Sequence, residues 1–292
     1  MSRVLLISSS TVYGSSYLEH AEAEIRDVLG PARRVLFVPY ALFDQAAYAR
    51  KARERFESWG YGLDSVADAA VPREAAARAE AFFVGGGNTF RLLNALYRFD
   101  LLPALRERVA RGVAYIGSSA GSNVAGPTIK TTKDMPIVEP PSFDALGLVG
   151  FQISPHYQDP DPSSKHMGET QEERILQFLE ENDTPVAGLR EGSMLRVDDA
   201  TATLRGRAGA RLFRRGAQAV EVLPGADVTE LLKPSENSRI WDFRLNCSLV
   251  TLRHPPTLSA KVSESVRYQV AYCQNKSWPE WMSSLISAEQ WR

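Results

Sequence analysis

An apolar strand running straight into a tight glycine–serine turn constrains this 292-residue chain more than any other stretch. After Gly112 the sequence reads Val-Ala-Tyr-Ile and then Gly117-Ser118-Ser119-Ala120-Gly121, the spacing G-x-S-x-G. In that pattern the central serine occupies a sharp strand-to-helix bend, and small neighbours permit the strained backbone that lifts its hydroxyl clear of the sheet. Ser119 is therefore the candidate nucleophile. Ser118 and Ser122 lack glycine two positions away on both sides and read as turn and helix-start residues.

The flanking chain supplies a scaffold for such a bend. Short apolar runs at 4–7, 35–38 and 81–84, with a weaker one at 61–66, alternate with helical segments at 18–29, 46–59, 72–78, about 91–97 and 101–111. Strands and helices alternating at this spacing predict an α/β sandwich around a mostly parallel sheet, with ligands at the C-terminal strand ends. The glycine-rich turn Gly85-Gly86-Gly87-Asn88 then lies on the same edge as Ser119. Farther along, a strand at 151–156 ends at a histidine, a helix covers 169–181, and a strand at 185–189 ends at Arg190-Glu191-Gly192. Four β-like runs follow, at 193–197, 201–205, 210–213 and 219–223, and predict antiparallel strands finishing the edge of that sheet.

Composition narrows the class. With 44% hydrophobic residues the chain can bury a substantial core. Its 34 basic and 35 acidic residues leave a formal charge of −1, which gives no pull toward nucleic acid or an anionic membrane. No apolar stretch is long enough to span a bilayer and the first residues show no signal-peptide pattern, so a cytoplasmic setting is expected. The two cysteines, Cys247 and Cys273, exclude a disulfide framework for the main body and a Cys-rich zinc site. Both lie in the last segment with four of the five tryptophans, Trp241, Trp278, Trp281 and Trp291. This shift divides the chain into a catalytic unit over 1–232 and an extension over 233–292, read as an interaction element or a poorly ordered appendage.

A serine nucleophile needs a base, and the candidates are His20, His156, His166 and His254. His156 closes an apolar strand after Pro155 and so projects at the ligand-binding edge. His20 falls in a predicted surface helix, His166 in a polar loop and His254 in the extension. The base in turn needs a carboxylate to fix its tautomer. Glu191, at a strand end, and Asp134, in the loop after the nucleophile helix, both qualify. Backbone amides of Ala120 and of the Gly85-Gly86-Gly87-Asn88 turn are natural donors to a developing oxyanion. A phosphate loop is the rival reading of that turn, but G-G-G-N-T-F has neither the Lys-Ser/Thr of a P-loop nor G-x-G-x-x-G spacing.

Together, residues 84–90, 115–123, 127–138, 143–146, 152–156 and 168–175 resemble the peptidase E family, the aspartyl dipeptidases among serine peptidases, relatives of the cyanophycinases. The resemblance spans about residues 2–232 in the right order. It implies a three-layer α/β sandwich of the flavodoxin-like, class I glutamine amidotransferase-like kind. The implied activity is hydrolysis of dipeptides with an N-terminal aspartate, with no cofactor and no metal. Carried over by position, it makes Ser119 the nucleophile, His156 the base, Asp134 or Glu191 the acid, and Gly86 or Gly87 with Ala120 the oxyanion donors.

Asn88, Lys130, Lys133 and Gln171 are the implied substrate-binding residues. At the last three, close members of the family carry Arg, Asn and Arg. An Arg-to-Lys change loses the bidentate carboxylate fork and Gln171 loses its charge, which puts strict aspartate selectivity in doubt. The expected partner is a small peptide of the Asp-X type, with no nucleic acid or membrane, for a monomer or homodimer. Alternatives are a cyanophycinase-like or other acidic or isoaspartyl peptide hydrolase, or a catalytically silent member that acts as a binding protein.

Overall fold

The structure is a computed structural model that describes residues 2–233 except Ser164 and His166. The extension expected over 233–292, Lys233 aside, lies outside the described residues, as do His166 and His254.

Eleven strands are formed among the described residues: β1 (Arg3–Ile7), β2 (Arg34–Val38), β3 (Gly62–Ser65), β4 (Ala81–Val84), β5 (Ala114–Ser118), β6 (Gln152–Ser154), β7 (Val186–Leu189), β8 (Ser193–Asp198), β9 (Thr201–Gly206), β10 (Ala210–Phe213) and β11 (Val220–Val222). The helices are α1 (Glu22–Leu29), α2 (Gln45–Ser58), α3 (Pro72–Arg78), α4 (Thr89–Arg98), α5 (Leu101–Ala110), α6 (Ala120–Asn123) and α7 (Gln171–Glu181). His20 lies in a 3-10 turn before α1 and is half-buried.

Seven strands make the main sheet in the order β3-β2-β4-β5-β1-β8-β9. The first five are parallel, and β8 and β9 add on antiparallel. Its central strands are apolar on both faces because both faces are covered. In β4, Phe82 and Val84 point into a core shared with α4 and α5, whereas Ala81 and Phe83 point into one shared with α1 and α2. Fully burying a side chain such as Phe37 or Phe83 contributes about 1.5–3 kcal/mol.

The expectation of one continuous sheet needs correction. Only β8 and β9 finish the main sheet; β10 and β11 pair with β7 and β6 in a second, four-stranded sheet ordered β11-β10-β7-β6. A small core explains the separation, since Phe213 of β10 and Val186 of β7 pack with Tyr157 and with Ile175 and Leu179 of α7. Thus Ser119 follows a strand of the large sheet, while His156 and Glu191 follow strands of the small one.

Candidate active site

The bend after β5 carries Ser119 at φ 51° and ψ −110°, a conformation that L-residues rarely adopt. Close packing explains the glycines around it. A Cβ on Gly117 would meet the Gly121 carbonyl at 2.5 Å, and one on Gly121 would collide with the Val84 carbonyl oxygen. The Ser119 amide donates to the Ile7 carbonyl at 2.9 Å, and the buried Ser122 hydroxyl donates to the same oxygen at 2.7 Å. Ser122 therefore braces the bend, and Ser118 is fully buried.

His156 arrives from β6 with a positive φ of 54°. Its Nε2 lies 2.8 Å from Ser119 Oγ, and its Nδ1 lies 3.0 Å from Glu191 Oε1. With Glu191 ionised, Nδ1 is the donor in that pair, which leaves Nε2 free to accept the serine proton. The imidazole and the carboxylate are 39% and 54% exposed, so water screens their attraction and orientation outweighs stability as its effect.

Glu191 is aimed by its neighbour. Arg190 makes paired bonds to Asp159, at 2.7 and 2.8 Å, and to Glu221, at 2.6 and 2.7 Å. These hydrogen bonds push the guanidinium pKa far up and hold the Asp159 carboxyl below its usual range. The end of β7 is thereby pinned, and Gly192 at φ 83° turns the chain into β8. In sequence the only trace of this brace is Arg190 next to Glu191, because its partners Asp159 and Glu221 are each 31 residues away.

Asp134 is engaged elsewhere. Its Oδ2 accepts from the Thr89 amide at 2.7 Å and the Thr89 hydroxyl at 2.6 Å, at the N-terminus of α4. Because both His156 nitrogens already have partners, Asp134 is not the carboxylate on the ring. It does line the same cavity as Ser119 and His156. The Gly86 amide also has a fixed partner, the Tyr48 hydroxyl at 2.9 Å. Neither the Gly87 amide nor the Ala120 amide has a hydrogen-bond acceptor among the described residues.

The expected substrate-binding side chains divide into two groups. Asn88 caps α4 through Oδ1, which accepts from the Arg91 amide at 3.0 Å, and its Nδ2 donates to the Met135 carbonyl at 2.8 Å. Both ends of that side chain are used by the fold. Lys130, Lys133 and Gln171 instead share a small hollow of about 80 Å³ with Arg174, one turn beyond Gln171 on α7. Lys133 Nζ donates to the His156 carbonyl at 2.7 Å and to Gln171 Oε1 at 3.0 Å. Burial pushes its ammonium pKa down to about 8, against the pull of Asp134 and Glu191. Arg174 was missed in the sequence, although its i+3 spacing from Gln171 places it on the same helix face.

Ser119, His156, Asp134, Gly86 and Gly87 border a cavity of about 820 Å³ whose lining also includes Tyr17, Phe43, Tyr48 and Lys51. Among the described residues no group of three or more His, Cys, Asp or Glu is disposed to hold a metal ion. None of their helices is long and apolar enough to cross a membrane.

The chain is 53% identical over 229 residues to peptidase E of Streptomyces coelicolor, a match covering 78% of this chain and 94% of that one. It is 46% identical over 233 residues to a probable alpha-aspartyl dipeptidase of Drosophila melanogaster, covering 79% and 97%. The fold is shared with a crystal structure of a peptidase from an acI-B1 Actinobacterium, at a TM-score of 0.60 and 16% identity, over 78% of this chain and 96% of that one. The model of peptidase family S51 matches residues 4–205, and the chain belongs to that family.

Proposed function

We propose that the chain is a serine-type dipeptidase that releases an N-terminal aspartate from short peptides. One observation carries the reading: Ser119, His156 and Glu191 stand in a continuous hydrogen-bonded line whose first two members line a cavity. Ser119 Oγ attacks the scissile carbonyl while His156 Nε2 takes its proton, and the imidazolium that forms is held by Glu191. The Gly87 and Ala120 amides receive the oxyanion. His156 then protonates the departing amine, and water, activated by the same imidazole, releases aspartate from the acyl-enzyme.

Asp134, with one oxygen on Thr89 and its carboxylate on the cavity, suits the substrate ammonium. Lys133, with Lys130 and Arg174 behind it, suits the acidic side chain. The catalytic unit is residues 1–232, which the family match over 4–205 supports. The near-neutral charge favours small peptides as partners over nucleic acid or membranes, in the cytoplasm, for a monomer or homodimer.

Gln171 favours a broader acidic specificity as a second reading, because it removes the guanidinium expected at that position and instead accepts a hydrogen bond from Lys133, a titratable lysine. A panel of Asp-X, Glu-X and β-Asp-X dipeptides, assayed with wild type and Ser119→Ala, tests both. Hydrolysis of Asp-Leu by wild type, lost in Ser119→Ala, supports the first. Asp-Leu cleavage retained in the folded variant removes it, and preference for β-Asp-X moves the assignment to the second.

A further inference from the structure

One wall of the cavity is a single helix stripe. Asp44, Ala47, Tyr48 and Lys51 all line it, and their spacing of three, four and seven residues places them on one face at the start of α2. The stripe begins beside the reactive serine. Tyr48 holds the Gly86 amide, and a Cβ on Gly86 would come within 2.9 Å of Ser119 Cβ. Lys51 is the next turn outward along α2. Its ammonium sits 4.6 Å from the Tyr17 ring centroid, and it has no carboxylate partner among the described residues.

Lys51 is also the single Lys or Arg among the described residues lining this cavity. The two acids there have other work, since Asp44 Oδ1 caps the Ala47 amide at 2.9 Å and Asp134 serves Thr89. A cation stacked on an aromatic face loses little freedom on binding, so its charge is arranged in advance for an anion. Leu42 and Phe43 line the same cavity with apolar surface, Phe43 being 88% exposed with the Arg91 guanidinium 5.9 Å from its ring centroid.

We propose that Lys51 is the binding site for the free α-carboxylate of the residue released by cleavage, whose side chain rests on Leu42 and Phe43. The inference deepens the dipeptidase reading and rests on it. In a dipeptide the leaving residue ends in a carboxylate one Cα away from the scissile nitrogen, whereas in a longer peptide that position is a neutral amide. Lys51, about one turn along α2 from the tyrosine that holds the Gly86 amide and lining the same cavity as Ser119, therefore selects for chain length.

The test compares Asp-Leu with Asp-leucinamide, which differ only in that carboxylate, on wild type, Lys51→Met and Lys51→Arg. In wild type, kcat/KM favours Asp-Leu by about 10–100-fold, the size of a charge-assisted bond. Lys51→Met raises KM for Asp-Leu by about the same factor with little change in kcat, while Asp-leucinamide loses less than about threefold. Lys51→Arg keeps most of the preference. Equal losses on both substrates, or no loss on Asp-Leu, overturn the proposal while leaving the hydrolase reading intact. A wild type that cleaves neither substrate overturns both.

Discussion

The hydroxyl of Ser8 joins the two sheets at His156. Its Oγ accepts the His156 amide at 2.9 Å and donates to the Leu189 carbonyl at 2.8 Å, and the side chain is fully buried. Ser8 follows β1, whose last carbonyl, that of Ile7, receives the Ser119 amide. Adjacent residues of one strand end thus fix the bend at Ser119 and the backbone of His156. In the proposed mechanism the base and the nucleophile come from different sheets and need such a tie, because an error of about 1 Å in reacting geometry costs on the order of 10²-fold in rate.

Ser8→Ala therefore lowers kcat for Asp-Leu by roughly 10–100-fold with KM changed little. Steady-state kinetics with a thermal melt distinguishes this positioning effect from unfolding. An unchanged kcat in the folded variant shows that packing alone holds His156.

The two carboxylates are separable by the kinetic parameter each affects. Glu191→Gln cannot stabilise the imidazolium and lowers kcat by about 10²–10⁴-fold, with the smaller figure favoured by its exposure. Asp134→Asn keeps an acceptor for Thr89 and raises KM by about tenfold through the substrate ammonium. Reversal of that pattern would exchange their roles.

Lys133 ties recognition to pH. Its ammonium is held down to about 8 by burial, so it is charged below that pH and neutral above it. The attraction for an aspartyl side chain is then present in the acid range and lost as pH rises, and kcat/KM for Asp-Leu falls through about 8. The substrate α-amino group titrates nearby, at about 7.7–8.0. Lys133→Arg, charged throughout, separates the two contributions: its descending limb is shallower than that of wild type. An identical limb in both proteins would assign the whole effect to the substrate.

Gly121 allows the closest backbone approach at the bend. Gly121→Ala places a methyl group into the Val84 carbonyl, which must move. Overpacking of this kind costs about 1–3 kcal/mol, read as a lower midpoint in urea unfolding.

These residues show which parts of the fold a single sequence exposes. The bend at Ser119 is legible because close packing there demands glycine at Gly117 and Gly121, and the central parallel strands because burial on both faces makes them continuously apolar. The second sheet is not legible, since a short strand such as 210–213 looks the same whichever edge it joins and its choice depends on Phe213 meeting Tyr157. Asp134 and Glu191 look equivalent in sequence for a similar reason. A loop carboxylate capping a helix and one orienting a histidine differ only in what the fold brings within 3 Å. The bond from the Gly86 amide to Tyr48, 38 residues away, leaves no local trace either.

The central claim is that Ser119 is the nucleophile and His156 activates it. Intact-protein and peptide mass spectrometry after treatment with a fluorophosphonate tests this most directly. The expected result is one adduct per chain, on Ser119, with labelling abolished in a folded His156→Ala variant. An unlabelled Ser119 in protein that still cleaves Asp-Leu, or labelling that persists without His156, would contradict it.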